Sequence, residues 1–371
     1  LLIMKFTLVT SFYNGENFIE QLYEKIKSQT YKNWEWIVTD DFSNDNGRQK
    51  LIELSNNDRR VTYIEQSKKK EMFWNPQLFC NDSDIIVQLD QDDYPLPKAL
   101  EVYHHFFTKF PEVILITCAG NMYNDGGGWR CFYNLDYRND NNLSCGKLTF
   151  LRAWRHNPNI VVDYNPNEWM KFFYNDLAIV CKLEEMGKVL VLPRNLYYYN
   201  YRENSVSHES HNNVQDVRNE NDVLINGIKQ RRYDSEMETI LRYFDPIYNL
   251  SHSFMSHDMN NTSEQIKISY YLKDITTHQK NLLKELFFDY DFNFNKIDGD
   301  EDYLIWSVKD RSDIESFLSF DGRDKIKNTQ IVIHHFNDIE ESERNQMVDM
   351  IKPHYPFFFQ VDEHMTLTLL R

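Results

Sequence analysis

The feature that most restricts the fold is an alternation of short β-branched runs with helix-periodic segments across residues 6–118. Residues 6–10 read as a strand, Tyr13-Asn14-Gly15 as a turn, and residues 16–28 place Phe18, Ile19, Leu22, Tyr23 and Ile26 at helical spacing. Further strands are expected at 34–39, 61–64, 85–89 and 113–118, with helices at 49–54 and 97–110, the last carrying a proline in its first turn. Alternation of this kind predicts the α/β class, with a mostly parallel sheet covered by helices on both faces. Ligands in such sheets bind outside the carboxyl ends of the strands. The acidic groups Asp40-Asp41 and Asp90-Gln91-Asp92-Asp93 both follow an apolar run at such an end.

Residues 121–142 are rich in Gly, Asn and Asp and read as loop. A helix is expected at 169–186 with Gly187 as its C-cap, then a strand at 189–192 ending at Pro193 and an aromatic extended segment at 197–201. Residues 212–243 read as a charged helical tail, and the Asn/Ser-rich stretch 251–264 as a linker. The pattern then restarts with strands at 266–272, 303–308 and 331–335, helices at 277–288, 313–320 and 340–351, and a closing hairpin from 357–361 and 365–370. The expected organisation is a first domain over 1–250, a linker over 251–264, and a small α/β domain over 265–371 whose function the sequence does not assign.

A net charge of −16 repels nucleic-acid phosphates, so no nucleic-acid partner is expected. The one dense basic run, Lys68-Lys69-Lys70, reads as a solvated loop face. Five scattered cysteines with no CxxC pair argue against a disulfide scaffold or a zinc site and point to a reducing, cytoplasmic setting. No stretch reaches the ~18 apolar residues of a membrane span. Leu1-Leu2-Ile3 is too short an apolar run for a signal peptide, and the absence of an initiating methionine suggests a piece of a longer protein.

Three carboxylates within Asp90–Asp93 repel one another, and a hard divalent cation with oxygen ligands relieves that repulsion. Mg²⁺ or Mn²⁺ would bridge one or two of them to a substrate diphosphate. The plain alternative is an acidic turn after a strand. In Thr39-Asp40-Asp41-Phe42-Ser43 a carboxylate could accept a hydrogen bond from a base N–H, although Asp and Ser also cap helices. Asp176, among Leu177, Ile179 and Val180, is either a structural carboxylate or a base facing a cleft. His208 and His211 lack the i, i+4 spacing of a helical zinc pair, and Gly126-Gly127-Gly128 has no following Lys-Ser/Thr and is not a phosphate loop.

Taken in order, Thr10-Ser11-Phe12-Tyr13-Asn14, Thr39-Asp40-Asp41-Phe42-Ser43, Leu89-Asp90-Gln91-Asp92-Asp93, Tyr174-Asn175-Asp176 and Leu196-Tyr197-Tyr198-Tyr199 through Arg202-Glu203-Asn204-Ser205 resemble family-2 glycosyltransferases of the GT-A fold, over about residues 4–210. The stretch 147–154 also looks like this family. The resemblance implies a Rossmann-type sheet and an inverting transfer from a nucleotide-sugar, UDP-hexose first, to a glycan or other hydroxyl acceptor, with Mn²⁺ or Mg²⁺. It implies that Ser11 and Tyr13 line the nucleotide pocket and that Asp41 holds the base with Asp40 beside it. Asp90 and Asp92 would address ribose and metal, Asp93 metal and diphosphate. Asp176 would be the catalytic base, and Arg202 would neutralise the leaving diphosphate. Many relatives carry an Arg-Asn pair where this chain has Lys70-Glu71-Met72-Phe73-Trp74-Asn75-Pro76, so Asn75 matches and the arginine is absent. That departure supports an alternative, a catalytically weak module that binds a glycan or a protein.

Overall fold

The computed structural model describes residues 3–66, 80, 82–124, 128–132, 151–157, 175–200, 240–241, 243–251, 266–298, 300–320, 326, 328–333, 339–353, 357–360 and 367–370. Contacts divide the chain into two units: residues 1–127, 133–192 and 196–242, and residues 128–132, 193–195 and 243–371. The expected linker lies outside the described residues apart from Ser251, as does nearly all of the expected tail helix.

In chain order the first stretch runs β1 (Phe6–Phe12), α1 (Ile19–Lys27), β2 (Trp34–Asp40), α2 (Gly47–Asn57), β3 (Val61–Glu65), β4 (Ile85–Gln88), β5 (Tyr94–Pro95), α3 (Ala99–Lys109), β6 (Val113–Asn124), β7 (Gly128–Phe132), β8 (Ala153–Arg155), α4 (Asn175–Met186), β9 (Lys188–Asn200) and β10 (Ile240–Leu241). The sheet of the first unit is ordered β10-β9-β6-β8-β4-β1-β2-β3, with β5 alongside β9. β1 is parallel to both β2 and β4, and β2 to β3. This is the predicted α/β class with a mostly parallel sheet flanked by helices. β1 and β2 are almost wholly buried, as strands covered on both faces must be. Helix α1 buries Ile19, Leu22 and Ile26, the stripe its periodicity predicts.

Several features depart from the sequence reading, among them strand β10 at Ile240–Leu241, inside the span expected as a helical tail. Residues 121–124 continue β6 instead of opening a loop. Strand β8 lies antiparallel between β4 and β6, with Trp154 fully buried. Strand β9 runs through Pro193 without ending. β10 pairs with Val189 and Leu190 and β5 with Tyr197 and Tyr198, so Pro193 lies outside both of these short ladders.

A polar knot secures the start of β3. Asp58 accepts from Arg60 Nε at 3.0 Å, from Arg60 Nη2 at 2.6 Å and from the Tyr23 hydroxyl at 2.9 Å. The guanidinium also lies 3.9 Å from the Trp34 ring centroid. Arg60 therefore holds the Asp58 carboxyl well below the usual carboxylate range. A lowered folded-state pKa contributes stability above the unfolded carboxylate value, lost as pH falls through the folded value. Asp58→Asn should cost about 1–2 kcal/mol at pH 7, discounted for the part-exposed arginine. The difference should shrink progressively as pH falls below about 4 and vanish only once the carboxyl is protonated in the folded protein. Urea denaturation at neutral pH and at a series of acid pH values checks this, and a difference that did not shrink as pH fell below about 4 would refute the charge argument.

The second unit continues with β11 (Ile266–Tyr271), α5 (Thr277–Leu286), β12 (Tyr290–Phe294), β13 (Tyr303–Val308), α6 (Arg311–Leu318), β14 (Asn328–Ile333), α7 (Glu341–Ile351), β15 (Phe357–Gln360) and β16 (Leu367–Leu370). Its sheet is ordered β12-β11-β13-β14-β16-β15. The first four strands are parallel, and β16 and β15 close as the expected hairpin. Strand β12 was not expected. Capping boxes start both α5, through Thr276 and Gln279, and α6, through Asp310 and Asp313. Arg194 is wholly buried and pairs with Asp289 at 2.7 Å. Among the described cysteines, Cys80, Cys118 and Cys181 are free thiols. Among the described residues, no helix is long and apolar enough to cross a membrane.

Candidate functional site

The order β4-β1-β2-β3 reverses direction at β1, because β2 and β3 add to one side of it and β4 to the other. Such a switch point opens a crevice at the carboxyl ends of the strands. The loops after β1, β2 and β4 meet there, and they carry most of the predicted residues.

Ser11, near the end of β1, is exposed, and Tyr13 is 42% exposed. Asn14 takes a positive φ of 47°, which its short polar side chain tolerates better than most. Its backbone N–H donates to Ser43 Oγ at 3.0 Å, and its Oδ1 accepts from the Asn44 N–H at 2.9 Å. Glu16 N–H donates to Asp45 Oδ2 at 2.9 Å, and Asn46 N–H to Glu16 Oε2 at 2.8 Å. The loops after β1 and β2 are thus laced together by four bonds, each with a main-chain N–H at one end.

The two aspartates that end β2 have different environments. Asp40 is buried, accepting from Ser43 N–H at 3.0 Å, Ser43 Oγ at 2.5 Å and the Tyr63 hydroxyl at 2.8 Å. Burial and the Asp40 charge hold the Tyr63 hydroxyl far above its ordinary pKa. Asp41 is half-buried, and its N–H donates to the Phe12 carbonyl at 2.8 Å. Phe42, next to it, is 54% exposed with a φ of 70°. A bulky side chain at positive φ costs free energy, and such residues cluster at ligand sites. Phe42 and Tyr13 present aromatic rings on the loops of this edge, suited to stacking on a nucleobase. Sequence reasoning assigned Phe42 no role. The available signal was an aromatic residue directly after the acidic pair.

The acidic turn after β4 is divided in the same way. Asp90 is exposed and Asp92 half-buried. Asp93, expected to hold the metal, has both carboxylate oxygens on protein donors. Oδ2 accepts from the Tyr197 hydroxyl at 2.7 Å and Oδ1 from the Asn200 N–H at 2.8 Å. Burial, then the neighbouring charges of Asp90 and Asp92, raises the Asp93 pKa well above the ordinary value. Beside it Tyr94 stacks on Tyr198 with centroids 4.4 Å apart. The turn is thereby fastened to β9.

Asp176 lies in the first turn of α4, and its side chain is outside the described residues. Arg202, Lys68–Lys70, Asn75, His208 and His211 also lie outside them. Among the described residues, no three His, Cys, Asp or Glu side chains form a ready metal cage. The oxygen donors of Asp90 and Asp92 nevertheless suit Mg²⁺ or Mn²⁺, which bind through one or two carboxylates together with substrate phosphates.

In an open α/β sheet, the switch point where these carboxylates and aromatic rings gather is where ligands bind. Residues 7–156 match the family model described as Glycosyl transferase family 2, and this part of the chain resembles family-2 glycosyltransferases. Among curated proteins, the UDP-Glc:alpha-D-GlcNAc-diphosphoundecaprenol beta-1,3-glucosyltransferase WfgD of Escherichia coli is 32% identical over 96 residues, 26% of this chain and 38% of that protein. Glycosyltransferase GlyA of Streptococcus pneumoniae is 28% identical over 130 residues, 35% of this chain and 18% of that protein. The chain therefore spans well under half the length of these relatives. Among solved structures, S. aureus TarS aligns with a TM-score of 0.48 at 16% identity, covering 69% of this chain and 43% of that one. Mannosyltransferase PcManGT from Pyrobaculum calidifontis, in complex with GDP-Man and Mn²⁺, aligns with a TM-score of 0.46 at 15% identity, covering 70% and 73%.

Proposed function

We propose that the chain is an inverting glycosyltransferase that moves a sugar from a nucleotide-sugar, UDP-hexose first, to a hydroxyl of a glycan or other acceptor. The observation that carries this reading is the gathering of Ser11, Tyr13, Asp41, Asp90 and Asp92 at one switch point, within the residues that match the family. The UDP-Glc in the name of the E. coli relative favours a UDP donor.

On this reading Tyr13 and Phe42 flank the base, Ser11 lines its pocket, and Asp41 accepts from a base N–H, with Asp40 buttressing the loop. Asp90 addresses the ribose. Asp92, with Asp90 beside it, would hold Mn²⁺ or Mg²⁺, which when bound stabilises charge on the leaving diphosphate. Arg202 adds positive charge to that group. Asp176 takes the proton from the acceptor hydroxyl, whose oxygen attacks the anomeric carbon from the face opposite the nucleotide, so the configuration inverts.

A UDP-hexose panel with Mn²⁺ and Mg²⁺ tests the activity, and NMR of the product anomer tests inversion. Asp176→Asn should lower kcat by about 10²–10⁴-fold while UDP still binds. Product with retained configuration, or unchanged turnover in this variant, would remove Asp176 from its role. Absence of UDP binding by calorimetry would leave the binding-module alternative.

A further inference from the structure

We propose that Gln91, the residue between Asp90 and Asp92, is a positioning residue that locks the nucleotide loop to the acidic turn. The inference rests on the proposed function and extends it. Tyr13 lies one residue beyond the β1–β2 ladder, whose last pair is Phe12 with Asp40. Gln91, in the turn after β4, grips its main chain. Its Oε1 accepts from the Tyr13 N–H at 3.0 Å, and its Nε2 donates to the Tyr13 carbonyl at 3.1 Å. Only an amide offers a donor and an acceptor together in that geometry; glutamate lacks the donor.

Gly15 makes room for this clip. A Cβ at Gly15 would lie 2.6 Å from Gln91 Oε1 and 2.8 Å from the Phe12 ring, so any larger residue would push the amide away. The other end of the turn is already fixed, because Asp93 is held by Tyr197 and Asn200. Gln91 and Asp93 therefore bracket Asp92 in the chain. One ties the turn to the loop assigned to the base, the other to β9. The separation between base-holding groups and diphosphate-holding groups is then set before the donor arrives. Binding a ligand to such a preorganised pair of subsites avoids the cost of ordering them.

The test uses the full chain with Gln91→Ala and Gln91→Met, the latter keeping length without either hydrogen bond. Both should weaken UDP binding in the presence of Mn²⁺ by about ten-fold and raise the donor KM alike. The acceptor KM, kcat and melting temperature should stay close to wild type. Amide exchange at Tyr13 should accelerate in both variants. Wild-type UDP affinity and wild-type Tyr13 exchange in the two variants would overturn the proposal. So would a loss of affinity that tracked an equal loss of thermal stability, which would make Gln91 a folding residue. If wild-type protein neither bound UDP nor turned over a donor, the proposed function would fail instead. The Tyr13 exchange rates would still report on the clip.

Discussion

Asp92→Ala should cut sugar transfer by roughly two to three orders of magnitude in kcat, with the fold retained. The reason lies in how the turn after β4 divides its carboxylates. Asp93 anchors the turn through Tyr197 and Asn200, and Gln91 anchors it through Tyr13. None of these bonds uses the Asp92 side chain. Its removal leaves those anchors in place and, on the proposed reading, takes away a hard oxygen donor where the diphosphate would develop charge. On the proposed reading the loss falls on the transition state more than on the bound donor, so kcat should drop more than donor KM rises. Kinetics across a Mn²⁺ titration check this. An unchanged kcat with an unchanged metal requirement would move the ion away from Asp92.

The second large effect concerns stability. Arg194→Met should cost about 3–5 kcal/mol, because it strands a buried carboxylate. The Arg194 and Asp289 side chains are 0% and 7% exposed, and Arg194 Nη1 lies 2.7 Å from Asp289 Oδ1. The same nitrogen donates to the Leu286 carbonyl at 3.4 Å, and the guanidinium carbon sits 5.0 Å from the Phe287 ring centroid and 5.5 Å from that of Tyr290. Removing the cation leaves Asp289 without its charge partner in a low-dielectric site. Replacing both groups, as in Arg194→Met with Asp289→Leu, should recover most of the loss, since a buried pair is often matched by apolar residues of similar volume. Urea denaturation of the wild type, the single variant and the double variant measures both terms. A single-variant loss below about 1 kcal/mol would show that water reaches Asp289.

Much of the framework was legible in the sequence because it depends on local pattern. The runs that form β1 to β4 are short, apolar and β-branched, and the stripe of α1 repeats at helical spacing. The acidic groups mark the strand ends because they follow directly on the apolar runs of β2 and β4. Less legible was what depends on distant partners. Whether Asp40 or Asp41 is the buried member of its pair depends on Tyr63, in the next strand of the sheet. The locking of Asp93 depends on Tyr197, more than a hundred residues away in sequence. Strand β8 is too short to carry a period, and antiparallel pairing with both neighbours makes it a strand. Pro193 reads as a stop because its chemistry forbids a ladder bond, whereas β9 continues through it with β10 paired before it and β5 after it.

The lacing of the loops after β1 and β2 bears on how the donor preference of such a chain can drift. Every bond in it joins a main-chain N–H to the side chain of Asn14, Glu16, Ser43 or Asp45, and Gln91 grips only the main chain of Tyr13. The side chains of Ser11, Tyr13 and Phe42 are not part of these ties. On the proposed reading, scaffold and reader are thus separate sets of residues on the same loops. Exchanging the readers leaves the scaffold tied, so a library confined to positions 11, 13 and 42 would sample base preference on a constant frame, whereas changes at 14, 16, 43, 45 or 91 would alter the frame itself.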